Sequence, residues 1–330
     1  MASQDQLPSD QTGIIQHEGG ILRITHGLPI PELGPHQMLV KTAAVALNPC
    51  DYKMPLRFPT PGLWDGCDFS GTVVALGSEV AAQGRFHLGD QAFGAVQGSN
   101  MSDPMSGSYC EYIRTEPGLT FHAPKGMDLV NAPSLSGTAI ATLGVALFWS
   151  LQLPGTLHTP ASKSEDVLVY GGSSTIDLVF DYHSPTCAED IRAATKNTLR
   201  YALDPFAEAK TLRLCHAAIG RTGGRYCALE QYQESLCSRR TIKHELVMGG
   251  AISGRGVELP DPYGIPPRPE IGVWAQSWYL ELQQLIDDGK LKPCPTQIIP
   301  GKFAGILEGL DMLRNGSVSG KKLVVPMTTK

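Results

Sequence analysis

From residue 13 to residue 150 the chain alternates short apolar runs with turn residues. MLVKTAAVAL (38–47) is apolar with polar punctuation, and GTVVALG (71–77) is a β-branched run between glycines. GDQAFGAV (89–96) and SYCEYI (108–113) follow, the second alternating as a half-buried strand does. A polar loop, QGSNMSDPMSG, separates them. The pattern predicts a many-stranded, turn-rich module rather than a βαβ layer. The period changes in NAPSLSGTAIATLGVALFWSLQ (131–152), where Leu135, Ala139, Thr142, Leu143, Ala146 and Leu147 share one face of a predicted helix. The polar, proline-containing stretch LPGTLHTPASKSED (153–166) marks a domain boundary.

Beyond it the rhythm is strand and helix. Val167–Tyr170 is an apolar strand, AEDIRAATKN (188–197) a short amphipathic helix, and LRYALD (199–204) a strand ending at Asp204, where Pro205 stops it early. AEAKTLRLCHAAI (207–219) is a helix with Leu212, Cys215 and Ile219 on one face and Gly220 as its C′ residue. RYCAL (225–229) and HELVMGG (244–250) are strands. WAQSWYLELQQLIDDGK (274–290) and FAGILEGLDMLRNG (303–316) are helices stopped by glycine, and KKLVVP (321–326) is a last strand.

One stretch breaks this order. In VLVYGGSSTIDLVFDY (167–182) an apolar strand meets a double glycine, as at the start of a nucleotide-binding βαβ unit. A second apolar run, Leu178–Phe180, arrives almost at once. A parallel crossover with its helix needs at least about 10–12 residues, and Gly171 to Asp177 supplies seven. The two runs therefore form a tight antiparallel pair, or the second is no strand.

Composition narrows the partners. The 330 residues are 42% hydrophobic and 18% charged, an ordinary globular mixture with room for one large or two ordinary domains. A formal charge of −5 gives no electrostatic reason to expect nucleic acid or an anionic membrane. The N-terminal MASQDQLPSD lacks a signal pattern, and the apolar run AIATLGVALFW is too short to span a bilayer. Eight cysteines are scattered without a CxxC pair, which predicts reduced thiols and a cytoplasmic protein.

Several phrases, in order and across nearly the whole chain, resemble the medium-chain dehydrogenase/reductase superfamily: NPCDYK (48–53), GCDFSGTVVALGSEV (66–80), GDQAFGAV, GSYCEYI (107–113), GTAIATLGVAL (137–147), VLVYGG (167–172) and SVSGKKLVV (317–325). The chain is most similar to the stand-alone, trans-acting enoyl reductases of fungal polyketide synthesis. The resemblance implies an α/β protein. A GroES-like β-rich catalytic domain would comprise 1–160 and 291–330. A Rossmann-type cofactor domain, 161–290, would lack its first crossover. It implies a monomeric enzyme that transfers hydride from NADPH to an enoyl thioester. The thioester would be carried by a highly reducing polyketide synthase or a synthase–peptide synthetase hybrid. A hydride donor and an alkene must meet in a dry cleft, which is compatible.

The resemblance also assigns residues. Lys53 and Thr138 are the catalytic candidates, with Thr138 near the nicotinamide. Cys50, Asp51, Tyr52, Lys53, Ser173, Ser174, Thr175, Tyr182, Ile219, Gly220, Val318 and Ser319 match cofactor positions. Ser136, Gly137, Thr138, Ala139, Ile140, Ala141, Thr142 and Leu143, with Gly249, Gly250, Ala251, Ile252 and Ser253, match substrate positions. On residue chemistry alone, Lys53 is either a charge for the thioester oxygen or cofactor phosphates, or a solvated lysine after a turn. Small residues at a helix start suit close packing as well as binding.

Zinc-dependent relatives carry Cys, then Gly-His-Glu. Here Cys50 keeps the first place, but Gly66-Cys67-Asp68 replaces the motif; Cys50, Cys67 and Asp68 could in principle hold zinc, yet no third soft ligand is placed to close the site. The expectation is a zinc-free site, as in the quinone-oxidoreductase-like branch. The missing crossover would remove the helix N-terminus facing the pyrophosphate and the loop holding the 2′-phosphate. Two functions stay open: an enoyl reductase by descent, and a non-catalytic partner that has lost NADPH affinity. A general quinone or alkenal reductase is a third, against which the proline-rich DPYGIPPRPE (261–270) weighs.

Overall fold

A computed structural model of the chain describes residues 7–135, 137–171, 177–237 and 239–328. Along the chain the elements are β1 (Gln11–Gln16), β2 (Leu22–Leu28), β3 (Met38–Ala46), α1 (Pro49–Arg57), β4 (Asp68–Leu76), α2 (Ser78–Gln83), β5 (Gln91–Ala95), β6 (Tyr112–Thr115), β7 (Thr120–His122) and α3 (Gly137–Gly144). There follow β8 (Val167–Val169), α4 (Cys187–Ala194), β9 (Tyr201–Asp204), α5 (Ala209–Ala218), β10 (Gly224–Ala228) and β11 (Ile242–Leu246). The last are α6 (Pro269–Asp287), β12 (Thr296–Ile298), α7 (Phe303–Arg314) and β13 (Lys322–Pro326).

The chain divides into two compact units. The first comprises Met1–Ala141, Ser253–Leu259 and Pro266–Lys330, and the second Thr142–Ile252 and Pro260–Ile265. In the first, β3 is buried along nearly its whole length and pairs with β4, β6 and β13. Such a run, apolar on both faces, must lie inside a sheet. The sheet order is β12-β13-β3-β4-β5-β7. β13 lies antiparallel to β3, with Val324 opposite Ala46, so the C-terminal return joins the first unit's sheet. The unit's boundaries differ from the sequence reading at two places. Helix α6 belongs to the first unit because it packs on β7: Tyr279 stacks on Phe121 with centroids 4.8 Å apart, and the His122 amide donates to Gln283 Oε1 at 2.8 Å. Residues 142–160 group with the second, where the Arg225 guanidinium of β10 donates to the Ser150 carbonyl at 3.2 Å.

The second unit holds a four-stranded, all-parallel sheet in the order β11-β10-β9-β8. Its core gathers Ile191, Leu199, Ala202, Leu212, Cys215, Ile219, Tyr226 and Ile242. Leu178–Phe180 forms no strand; Leu178 and Val179 stand 61% and 70% exposed. The antiparallel alternative therefore drops out. β8 is an edge strand among the described elements, and the glycine turn after it, residues 172–176, lies outside the described residues.

Three local expectations shift. SYCEYI is strand only from Tyr112, because Tyr109 turns inward and buries its ring against Gly66, where any side chain would collide. HELVMGG starts earlier, at Ile242, which pairs with Gly224, and its glycines form a 3₁₀ turn. The 131–152 helix is a 3₁₀ turn, α3 and a π-helical turn, Val145–Ser150. Its buried side chains include Ile140, Ala141, Val145 and Ala146; Ala139 and Leu143 are exposed, so the face rotates from the predicted one. The helical stretch Ala132–Ser150 is 19 residues long and apolar enough to cross a membrane, longer than the run counted in sequence, and 59% of its most apolar window is buried within the protein. Long buried core helices share that profile.

Gly220 tests packing against binding. It does not take the left-handed conformation of a C′ glycine; instead its Cα lies so close to Asn197 that a Cβ would be driven into the Asn197 carbonyl. Gly220→Ala is expected to destabilise the second unit by about 1–3 kcal/mol, as overpacking does. Chemical denaturation checks this, and an unchanged midpoint would return Gly220 to a binding role.

Candidate active site

In the first unit, α1 begins at Pro49 after the extended residue Asn48. The Asn48 amide donates to Asp51 Oδ2 at 2.8 Å, closing the first turn as an acidic N3 residue does. The same carboxylate oxygen accepts the Tyr109 hydroxyl at 2.5 Å. Burial pushes the Asp51 carboxyl up, and the hydrogen bonds from Tyr109 and Asn48 oppose it without prevailing. Burial, then the charge of Asp51, pushes the Tyr109 phenol well up, so it stays a donor.

Asp68, the first residue of β4, is fully buried and joins four segments. Its Oδ1 accepts the Thr138 amide at 2.8 Å. Its Oδ2 accepts Asn48 Nδ2 at 3.0 Å and pairs with Lys322 Nζ at 2.9 Å. Lys322 also donates to Asn48 Oδ1. Burial alone would raise the Asp68 carboxyl; the Lys322 charge and hydrogen bonds from Lys322, Thr138 and Asn48 outweigh it and hold the group below the usual range. For Lys322 burial lowers and Asp68 raises, and the ammonium ends above its ordinary value. The two shifts agree: each partner favours the other's charged form.

This hub fixes the start of α1 relative to the start of α3. It thereby connects the elements that carry Lys53 and Thr138. Lys53 lies exposed on α1, one turn from Cys50. Thr138 Oγ1 is buried and has no hydrogen-bond partner among the described residues. An orphaned buried hydroxyl costs free energy unless something fills its place, so a polar ligand reaching it would find a ready partner. Sequence reasoning missed Lys322, Asn48 and Tyr109, and weighed Asp68 only as a metal ligand. The available signal was a carboxylate opening an apolar strand, DFSGTVVAL, and a lysine opening another.

The other expected residues scatter. Gly137 is buried against Ala95, where a Cβ would collide with the β5 backbone, so it is a packing glycine. Ile140 and Ala141 are buried and Ala139 exposed. Tyr52 and Val318 are partly buried against the α7 core of the first unit, and Ser319 is exposed. In the second unit Thr142 is half-buried, Leu143 exposed and Ile219 in the core. Tyr182 is 45% exposed, its ring near Tyr170 and Lys210. The turn Gly249–Ser253 buries Ala251 and Ile252, leaves Gly249 and Gly250 half-buried, and ends with Ser253 Oγ accepting the Arg255 amide at 3.3 Å. Ser136, Ser173, Ser174 and Thr175 lie outside the described residues.

The thiols Cys50 and Cys67 do approach each other, with Asp51 rather than Asp68 as the third donor within 4.8 Å. Asp51 is already saturated, and Asp68 serves Lys322. The Cys67 thiol is pushed well up by its hydrogen bond to Cys50, then by burial. These donors are committed to the protein's own hydrogen bonds.

Residues 34–125 match the alcohol dehydrogenase GroES-like domain family. The enoyl reductase cheB of Chaetomium globosum is 46% identical, covering 98% of this chain and 95% of its own. The trans-enoyl reductase ffsC of Aspergillus flavipes is 48% identical, covering 97% of each. The chain belongs to the fungal trans-enoyl reductase family. It is an oxidoreductase of the class acting on carbon–carbon double bonds. The alignment to cheB runs over 359 positions, more than the 330 residues here, so that relative carries positions this enoyl reductase lacks. Among solved structures, the CurK enoyl reductase superposes with a TM-score of 0.72 at 16% identity, covering 96% of this chain and 99% of that one. An alcohol dehydrogenase superfamily protein from Novosphingobium aromaticivorans gives 0.70 at 19%, covering 97% and 100%. Both share the fold.

A nicotinamide dinucleotide fits this enoyl reductase in part. The orphaned Thr138 hydroxyl suits a polar group at the chemical end. In open parallel sheets the ligand binds where strand order reverses. Here the described strands run one way, β8 to β11, with no reversal. Among the described residues, the phosphate end therefore lacks half of the usual crevice.

The ion pair sets a pH limit. The unfolded carboxyl titrates near about 3.9, and the folded Asp68 lies below it. Its contribution is therefore present above that value and lost as pH falls through the folded pKa. Asp68→Asn is expected to cost about 3–5 kcal/mol at neutral pH, because it strands the Lys322 charge. Asp68→Asn with Lys322→Met should cost less than the two single changes together. Urea denaturation across pH measures both, and simple additivity would show the pair to be uncoupled.

Proposed function

We propose that this enoyl reductase acts as a cytoplasmic monomer on an α,β-unsaturated acyl thioester. Its partner is a highly reducing polyketide synthase or a synthase–peptide synthetase hybrid. NADPH, when bound, supplies the hydride that reaches the β-carbon. The names of the relatives and the eight free cysteines support the assignment and its compartment.

One observation carries the site: Asp68 holds the Thr138 amide while the Thr138 hydroxyl stays unpartnered. Pinning the backbone leaves the Oγ1 aimed at a ligand rather than spent on its own helix. The hydroxyl orients a bound polar group by one hydrogen bond. Lys53, one turn into the same capped helix, places a positive charge for the thioester oxygen, where negative charge grows as the alkene accepts hydride. The α-carbon then takes a proton, and the double bond becomes single.

A second reading has its own support. The one-way sheet and the exposed Leu178 and Val179 favour a protein that recognises the synthase yet binds NADPH weakly. Charge-assisted hydrogen bonds contribute roughly 1.5–3 kcal/mol each, and losing two amounts to about 100-fold in affinity.

Oxidation of NADPH by a crotonyl-pantetheine thioester tests the reaction. Thr138→Val and Lys53→Ala are each expected to lower kcat/KM by about 100-fold or more while melting stays unchanged. Unchanged turnover in both removes them from the site. Grafting the relatives' crossover between Gly171 and Asp177 is expected to tighten NADPH binding at least about 100-fold. Equal dissociation constants by fluorescence titration would show that the short chain builds its phosphate site elsewhere.

A further inference from the structure

We propose a zinc site in the second unit, built from His216, Cys237 and His244, separate from the catalytic hub. Three segments supply it. His216 sits in the last turn of α5, His244 in the edge strand β11, and Cys237 in the connection between β10 and β11. The Nε2 atoms of the two imidazoles face each other at 2.9 Å. The Cys237 Sγ and both imidazoles offer ligand atoms that all lie within 4.8 Å of one another.

The donor chemistry suits zinc. Two imidazole nitrogens and a thiolate are the borderline-soft set this ion takes, with a fourth position left for water. A neutral imidazole is the form that coordinates. In the metal-free protein only one proton can lie between the facing nitrogens, whereas an ion uses both lone pairs. The thiol loses its proton to solvent on binding.

The surroundings hold the ligands in place. Tyr226 pairs with His244 in register and meets the His216 ring edge-on at 5.5 Å. Tyr232 flanks His244 at 5.9 Å. Arg239 is spent on the carbonyls of His216, Ile219 and Gly220 at 2.7, 2.7 and 2.6 Å. His216 also lines a cavity of about 810 Å³, and Arg192, Arg213 and Arg221 line the same cavity. The ion would clip the edge strand to the helix above it.

The test is metal binding by the full-length protein after chelator treatment. Cobalt(II) is expected to bind one equivalent, with a thiolate-to-metal charge-transfer band and tetrahedral d–d absorption. Cys237→Ser is expected to abolish that band. His244→Gln should weaken zinc binding at least about 100-fold. The Cys50→Ser/Cys67→Ser protein is expected to keep both. Zinc at 100 times its dissociation constant should raise the wild-type melting temperature by roughly 4 °C. This melting shift needs no variant to fold, and it should vanish in Cys237→Ser. Cobalt binding without the band, a band lost in Cys50→Ser/Cys67→Ser instead, or a wild-type melting temperature indifferent to zinc would each overturn the site.

Discussion

The ion pair of Asp68 and Lys322 is the constraint on which the first unit depends. A carboxylate at the head of a buried strand is costly to desolvate and survives only when paired and hydrogen-bonded. Its partners include the Lys322 ammonium, the Asn48 side-chain amide and the Thr138 backbone amide. The two amides belong to the residue that starts α1 and to the backbone that starts α3. The charge cannot move without uncoupling both helices. The C-terminal strand β13 pairs with β3 and carries Lys322 to this carboxylate.

This arrangement separates two tasks. Asp68 binds the backbone of Thr138, so the side chain needs no role in holding the helix. Asp51 and Tyr109 settle the first turn of α1, so Lys53 is free to face outward. Cys50 and Cys67 lie beside this network, their potential third donor already occupied. The face proposed for catalysis thus rests on hydrogen bonds made within the protein, which is how a preorganised polar site is usually supported.

The second unit keeps a different bargain with its lost crossover. Its four strands still stack in parallel register, and α4 and α5 still cover Leu212, Cys215 and Ile191. Asp204 ends β9 and receives the amides of Phe206 and Ala207 at 3.0 Å each, with the hydroxyls of Thr211 and Tyr226. That knot stabilises the strand end although Pro205 follows. The core is therefore local enough to persist when one edge is bare. Among the described elements that edge is β8, the strand that leads into the glycine turn.

Hydropathy rhythm and motif order carried most of the architecture. They placed the β-rich module, the strand–helix alternation, the C-terminal return and the impossibility of a crossover between Gly171 and Asp177. Each is a local or additive property: a strand is recognisable from its own side chains, and a seven-residue connection has a maximum reach. The face of the 131–152 helix and the membership of α6 were not legible, because both depend on what packs opposite. The hub was hidden for the same reason. Asn48, Asp68, Tyr109, Thr138 and Lys322 span most of the chain, and nothing in a lone lysine or aspartate announces its partner. His216, Cys237 and His244 are likewise ordinary in sequence. Residue types and their local spacing determined the family and the elements; only the tertiary fold decided which charges meet, because pairing depends on distance in space and on burial.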